Sequence, residues 1–210
     1  KRISIIGMEK NVGKTTLLNK LIADIGINKK LGLTSIGRDG EDIDVVTNTD
    51  KPRIYVRRGS IIATGRNCLA KCDITKEILY VTDFTTPMGS IVIVRALSDG
   101  YVDIAGPSYN KQVKIVVELM EKFGSEISIV DGALGRKSTA ISDVSEATIL
   151  STGAALSLDM LKVVEETKKT VYFLKLNEAE KNIKEKVEEL RDKKAVLFYK
   201  NGEVAILEVD

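Results

Sequence analysis

Gly7-Met8-Glu9-Lys10-Asn11-Val12-Gly13-Lys14-Thr15-Thr16 is the stretch whose reading decides the fold. A strand-like apolar run, Arg2 to Ile6, leads into it, and an apolar run with helical spacing (Leu17, Leu18, Leu21, Ile22, Ile25) leads out. A loop that closes in Gly-Lys-Thr between a strand and a helix is the setting of a phosphate-binding loop. Its successive backbone N–H groups converge on an anion, and the following helix adds about half a positive charge at its N-terminus. Gly13 lets the backbone approach phosphate, Lys14 reaches the outer phosphates, and the Thr15 hydroxyl suits Mg²⁺. The expected nucleotide-binding set is Glu9, Lys10, Asn11, Val12, Gly13, Lys14, Thr15 and Thr16. The usual spacing puts four residues between the first glycine and Gly-Lys, which would place a glycine at Met8. Here the glycine is Gly7 and five residues intervene. Either the loop is one residue longer or its first glycine is dispensable.

Two downstream segments have the chemistry such a loop needs. Leu31 to Ile36 reads as a second strand, followed by a polar loop with carboxylates at Asp39, Glu41, Asp42 and Asp44. In a phosphate-binding fold this loop commonly faces the γ-phosphate and its metal, so Asp39 is the expected catalytic partner of Lys14 and a second candidate for the metal shell. Arg38 is placed to meet phosphate. A solvated charged turn is the plainer reading of the same residues. Ile127 to Val130 reads as a short buried strand that ends in Asp131-Gly132-Ala133 and continues through Leu134 to Ser138. A carboxylate at the C-terminal tip of an apolar strand is a natural Mg²⁺ ligand, and ligands of open parallel sheets gather at that edge. Asp131 with Thr15 is therefore the expected metal pair, and Arg136 and Lys137 are candidate mobile cations. A strand-ending Asp-Gly turn is the alternative.

The rest of the chain alternates strands and helices. Lys111 to Phe123 has one apolar face and is stopped by Gly124. Ala147 to Leu150 reads as a strand, Leu156 to Lys168 as a helix, Val171 to Leu176 as a strand and Glu178 to Lys194 as a charged helix. Asn201-Gly202, between Ala195–Tyr199 and Val204–Val209, signals a hairpin. Pro52 to Gly106 is different in kind, with short β-prone runs at 53–56, 61–64, 78–84, 90–97 and 101–105. The first two read as a hairpin around Arg57-Arg58-Gly59-Ser60. The expected fold is α/β, with a mainly parallel sheet covered by helices on both faces, a strand-rich, partly antiparallel insertion or sheet extension at 52–106, and a C-terminal hairpin. The expected organisation is one domain over residues 1–210.

Composition narrows the chemistry. The 210 residues include no histidine, which removes His-based general-base, Ser-His-Asp and Cys-His mechanisms and nearly all zinc enzyme sites. Two cysteines, Cys68 and Cys72, would share one face of a helix. They complete no zinc site in one chain, although a symmetric dimer would supply four thiols, and structural cysteines are the reading preferred. Net charge is +2 with both signs interspersed, so no footprint for nucleic acid is visible. No window approaches the apolar length of a membrane span, and a cytoplasmic protein is expected.

With Gly13, Lys14, Thr15, Thr16, the loop around Asp39 and the Asp131 strand tip together, the chain resembles the SIMIBI class of P-loop NTPases, which contains dethiobiotin synthetase, MinD-type ATPases and metallochaperone GTPases. The class's signature lysine, five residues before the loop lysine, is Glu9 here, with Lys10 next. A guanine-reading Asn-Lys-x-Asp is missing, for Asn28-Lys29 is followed by Lys30-Leu31, and this favours ATP over GTP. More narrowly, the loop together with Ser35-Ile36-Gly37-Arg38-Asp39-Gly40-Glu41 is similar to the small P-loop subunit of the reactivases of cobalamin-dependent lysine and ornithine aminomutases. That resemblance implies Mg²⁺ and ATP as cofactors, a cobalamin-dependent mutase as protein client, and slow hydrolysis; a homodimer is also in view. Two other readings remain open: a small-molecule kinase or ATP-dependent ligase of the dethiobiotin synthetase kind, and a nucleotide-binding regulatory subunit without turnover.

Overall fold

Buried strands alternating with amphipathic helices build, in the computed structural model, a seven-stranded sheet. It comprises β1 (Arg2–Gly7), β2 (Leu31–Ser35), β6 (Ile61–Gly65), β7 (Lys76–Thr86), β8 (Gly89–Ala96), β10 (Ile127–Asp131) and β11 (Ala147–Ser151). The structure describes residues 1–37, 43–44, 49–50, 53–132, 144–177, 179–193, 195–199 and 201–207. Strand order is β11-β1-β10-β2-β6-β8-β7. The first five strands run parallel, and β8 and β7 add an antiparallel hairpin at one side. Among the described residues of 1–167, two further pairs lie outside this sheet, β3 (Ile43–Asp44) with β4 (Thr49–Asp50), and β5 (Ile54–Val56) with β9 (Gly100–Val102). Two compact units divide the chain, residues 1–167 and 168–210.

Period-two alternation in the parallel strands sends side chains to two separate cores. Ile5, Leu33 and Ile129 pack with Leu18 and Ile22 of α1 (Lys14–Ile25) on one side. On the other, Val130, Ile61 and Ala63 pack with Val113, Val116, Val117 and Met120 of α3 (Asn110–Lys122). The helix period explains both contacts, since Leu18 and Ile22 are one turn apart, as are Val113, Val117 and Val116, Met120. Each fully buried Leu or Ile contributes about 1.5–3 kcal/mol. Helix α3 is also tied to β1 by charge. Arg2 Nε and Nη2 donate to Glu121 Oε1 and Oε2 at 2.9 and 2.7 Å. The Arg2 guanidinium holds the Glu121 carboxyl below its ordinary value, chiefly through that hydrogen bond. A depressed carboxylate stabilises the fold above its unfolded pKa, about 4.3 for Glu, and loses that contribution as pH falls through the folded value. Arg2→Ala is expected to cost on the order of 1 kcal/mol at pH 7 after allowance for solvent screening, and less below about pH 4, measurable by urea unfolding at the two pH values.

Pro52 to Gly106 proves to be largely sheet extension, because β6, β8 and β7 join the central sheet itself. The hairpin expected between 53–56 and 61–64 does not form. Ser60 N–H donates to the Arg57 carbonyl in a tight turn, but β5 then pairs β9 while β6 enters the sheet beside β2. All five residues of β6 are buried, so it needs neighbours and cover on every side, which a hairpin partner alone would not supply. The strand expected over 101–105 is also shorter, ending at Val102, and residues 103–107 instead cross between β2 and β6. Gly65 N–H donates to Ala105 O at 2.8 Å, Gly106 N–H to Ser35 Oγ at 2.9 Å and Gly37 N–H to Pro107 O at 2.9 Å. Gly106 passes so close that a Cβ there would lie 1.9 Å from the Ser35 carbonyl oxygen.

Cys68 is in α2 (Arg66–Leu69), a four-residue helix that stops before Cys72, so the two thiols do not share a helical face. Neither is in a disulfide, and Cys72 Sγ donates to the Cys68 carbonyl at 3.2 Å. Burial pushes the Cys72 thiol up, toward the neutral form of a structural cysteine. In place of the expected helix at 156–168 and strand at 171–176, one helix, α4 (Met160–Leu174), spans both segments. Lys168, Lys169 and Thr170 contain no Gly or Pro to stop it, and the β-propensity of Val171, Tyr172 and Phe173 costs only tenths of a kcal/mol per residue in a helix. The charged helix α5 is shorter than expected, Lys181–Glu189. The C-terminal hairpin forms as read, β12 (Ala195–Phe198) antiparallel to β13 (Val204–Leu207). No helix among the described residues is long and apolar enough to cross a membrane.

Candidate phosphate-binding site

The parallel strands β11, β1, β10, β2 and β6 all end at the same edge, and the loop from Gly7 to Gly13 lies there, between β1 and α1. Its first residue past the strand is anchored to the neighbouring strand end, with Met8 N–H donating to Ser151 O at 2.9 Å. Two residues bend the loop into the left-handed region, Asn11 at φ 58° and Gly13 at φ 83°. Asparagine tolerates that conformation better than most side chains, and glycine takes it freely. The turn at Gly13 starts α1, whose backbone begins bonding when Leu17 N–H donates to Gly13 O at 3.0 Å. Gly13 has no side chain with which to cap the helix, and the first turn contains no acidic residue. The positive end of α1 is thus left for an outside anion.

Lys14 doubles back over the loop. It is half-buried, and its Nζ donates to the Glu9 carbonyl at 2.9 Å, while Lys10 N–H donates to Glu9 Oε1 at 2.8 Å. A Cβ built on Gly7 would lie 2.7 Å from Lys14 Nζ, 2.8 Å from Lys14 Cδ and 2.7 Å from Val12 Cγ2. Gly7 is therefore the glycine that makes room for the lysine, and the loop is one residue longer than the usual pattern. The Lys14 atoms are the end of a flexible side chain, whereas Val12 is buried and stiff at χ1. Gly7→Ala should press on Val12, costing about 1 kcal/mol or more and at least roughly 2–4 °C in unfolding temperature, and should displace Lys14, weakening the proposed triphosphate binding about tenfold, on the scale of one charge-assisted hydrogen bond. Calorimetric titration alongside a thermal melt checks both parts.

Asp131 ends β10, next to β1. The parallel register sets Asp131 beside Ile5, two residues before Gly7, and beside Ser35 of β2 on its other side. Gly132 N–H donates to Ile5 O at 3.0 Å and Ile36 N–H to Asp131 O at 2.7 Å, so both neighbouring strands fix the backbone of the strand tip. The Asp131 side chain is half-buried. Thr15, on the first turn of α1, is also half-buried, and Thr16 is exposed. No cluster of three or more His, Cys, Asp or Glu able to hold a metal occurs among the described residues. Mg²⁺ in phosphate sites needs no such cluster, because one or two protein oxygens plus phosphate oxygens and water complete its octahedron. Thr15 and Asp131 fit that donor set.

The structure thus places Asp131 at the tip of β10, beside the strand that leads into Glu9 to Thr16. Asp39, Arg38, Glu41, Asp42, Arg136 and Lys137 lie outside the described residues. Sequence reasoning missed Asn19. From the outer face of α1 its amide donates to Arg53 O at 3.1 Å and accepts from Tyr55 N–H at 3.2 Å, so the amide acts as a strand partner for β5. A polar residue among Leu17, Leu18, Leu21 and Ile22 was the available signal. Asn19→Ala is expected to loosen β5 at a cost of about 1 kcal/mol, seen as faster amide exchange at Tyr55. Comparison with protein-family models, with curated proteins and with solved structures found no match to this chain.

Proposed function

We propose that this chain binds a nucleoside triphosphate, preferentially ATP, as its magnesium complex, hydrolyses it slowly, and couples that cycle to a protein client. The observation that carries the reading is Lys14, folded over Gly7 at the uncapped N-terminus of α1 with its ammonium on a single carbonyl. A triphosphate entering the loop exchanges that neutral acceptor for phosphate oxygens, which are stronger partners for a cation. The backbone of Glu9 to Thr16 would cradle the phosphates, and Thr15 and Asp131 would hold the metal, which supplies charge neutralisation at the β- and γ-oxygens. Asp39 would orient water. Chemistry of this kind is positioning plus charge stabilisation, so a chain without histidine can perform it. ATP is preferred over GTP because Asn28-Lys29-Lys30-Leu31 is not a guanine reader. The client named by the resemblance is a cobalamin-dependent aminomutase.

Phosphate release from ATP, measured with Mg²⁺ and with chelator, and with and without a cobalamin-dependent aminomutase, tests this reading. Slow, Mg²⁺-dependent turnover that the mutase accelerates is expected, and Asp131→Asn should lower the apparent Mg²⁺ affinity at least tenfold. Turnover unaffected by chelator would contradict it, and turnover indifferent to the mutase would remove the client.

A further inference from the structure

We propose that the Glu9 carboxylate is a charge filter on the loop, one that disfavours a bare polyphosphate and so makes binding depend on the metal complex. The inference rests on the proposed function and names which form of the nucleotide the loop accepts. Glu9 is the only acidic residue between Gly7 and Thr16, and the first turn of α1 adds none. An anion cradle gains no affinity from a carboxylate of its own, yet this one is built into the bonding of the loop.

One peptide unit holds it there. The Glu9 carbonyl accepts from Lys14 Nζ at 2.9 Å, and the N–H of the same peptide group, that of Lys10, donates to Glu9 Oε1 at 2.8 Å. The peptide is trans, so its carbonyl and N–H point to opposite sides, with the ammonium on one and the carboxylate on the other. Because the O and N atoms of a peptide group are about 2.2 Å apart, Glu9 Oε1 lies no more than about 8 Å from Lys14 Nζ. Glu9 is exposed, and among the described residues no cation forms an ion pair with it. Its charge is therefore held in place without being neutralised.

A phosphate taken up by the Lys14 ammonium comes within range of that charge, since the Debye length at physiological salt is about 8 Å. The repulsion grows with the charge of the ligand, and bare ATP carries about twice the negative charge of its magnesium complex. The free-energy penalty on the bare nucleotide is about double, so its loss of affinity is about the square of the loss suffered by the complex. Glu9 differs in this from Asp131. Asp131 would touch the metal, whereas Glu9 acts through space on the net charge of whatever occupies the loop.

Calorimetric titration with ATP at low salt, in Mg²⁺ and in chelator, tests the filter by comparing wild type with Glu9→Gln, which removes the charge and keeps an oxygen acceptor for Lys10 N–H. The variant is expected to bind the magnesium complex about threefold and bare ATP about tenfold more tightly, so that its dependence on Mg²⁺ falls about threefold at an unchanged melting temperature. At about 1 M salt, where the Debye length is about 3 Å, the difference between the two proteins should vanish, which a rearranged loop would not produce. Asp24→Asn, the same change of charge about 15 Å along α1, should leave both affinities as they are. Weaker binding by Glu9→Gln, no gain, or equal gains with and without Mg²⁺ overturns the filter. Binding by neither protein in either condition defeats the proposed function and the filter with it, whereas binding by both with the same Mg²⁺ dependence defeats the filter alone.

Discussion

Lys14→Ala is expected to lose tight triphosphate binding while melting at nearly the wild-type temperature. The lysine is half-buried, and its ammonium meets one carbonyl, that of Glu9, so the folded protein loses a single hydrogen bond and little packing. The ligand loses much more. A charge-assisted bond to phosphate is worth about 1.5–3 kcal/mol, which is a ten- to hundredfold loss of affinity, and triphosphate provides more than one oxygen for the same ammonium. Calorimetric titration of Lys14→Ala with Mg-ATP reads the affinity, and a thermal melt reads the fold. Unchanged affinity would remove Lys14 from the site. A collapsed melt would instead make the lysine a structural residue, against the contacts it makes.

Gly106→Ala is expected to be severely damaging. Its Cβ would lie 1.9 Å from the Ser35 carbonyl oxygen, 2.9 Å from the Ser35 carbonyl carbon and 2.7 Å from Thr34 Oγ1. Two of those three atoms are backbone of a buried strand and cannot swing aside, in contrast to the Lys14 side chain beside Gly7. Segment 103–107 would have to leave the gap between β2 and β6, breaking the bonds from Gly65, Gly106 and Gly37. Overpacking of this severity costs about 3 kcal/mol or more, which lowers the melting temperature by roughly 6–12 °C in a chain of this length. The damage reaches the site, because Ser35 is in register with Asp131 and Ile36 N–H bonds the Asp131 carbonyl. Weaker Mg²⁺ dependence of nucleotide binding should accompany the lower melting temperature in circular dichroism. A loss below about 1 kcal/mol would mean that the 103–107 segment does not run where it is described.

The difference between those two glycines shows what was legible in the chain. The strand, glycine turn and helix start around Gly7 to Thr16 could be read because they are consecutive in sequence. Asp131 could be read because the buried run Ile127 to Val130 stops at a carboxylate. Their adjacency could not be derived, since β10 begins at Ile127 and β1 ends at Gly7, far apart in the chain, and strand order depends on packing that no local pattern records. Gly106 had no sequence signal beyond its Gly-Pro neighbour, because its role is set by Ser35 and Thr34, seventy residues away. The misread segments share this cause. Ile61 to Thr64 reads as half a hairpin until burial on both faces shows it to be part of a sheet strand. Val171 to Leu176 reads as strand from residue type alone, although nothing upstream stops α4.

Everything claimed for the site rests on whether the Gly7–Thr16 loop takes a triphosphate with its metal. The direct measurement is a calorimetric titration of the wild-type protein with ATP, once in Mg²⁺ and once in chelator, with a thermal melt at each endpoint. Saturable one-to-one binding that weakens at least tenfold in chelator is expected. At a hundred times the dissociation constant, bound Mg-ATP adds about 2.7 kcal/mol, a rise in melting temperature of roughly 5–10 °C. Neither heat nor a shifted melt with any nucleoside triphosphate at millimolar concentration would contradict the account.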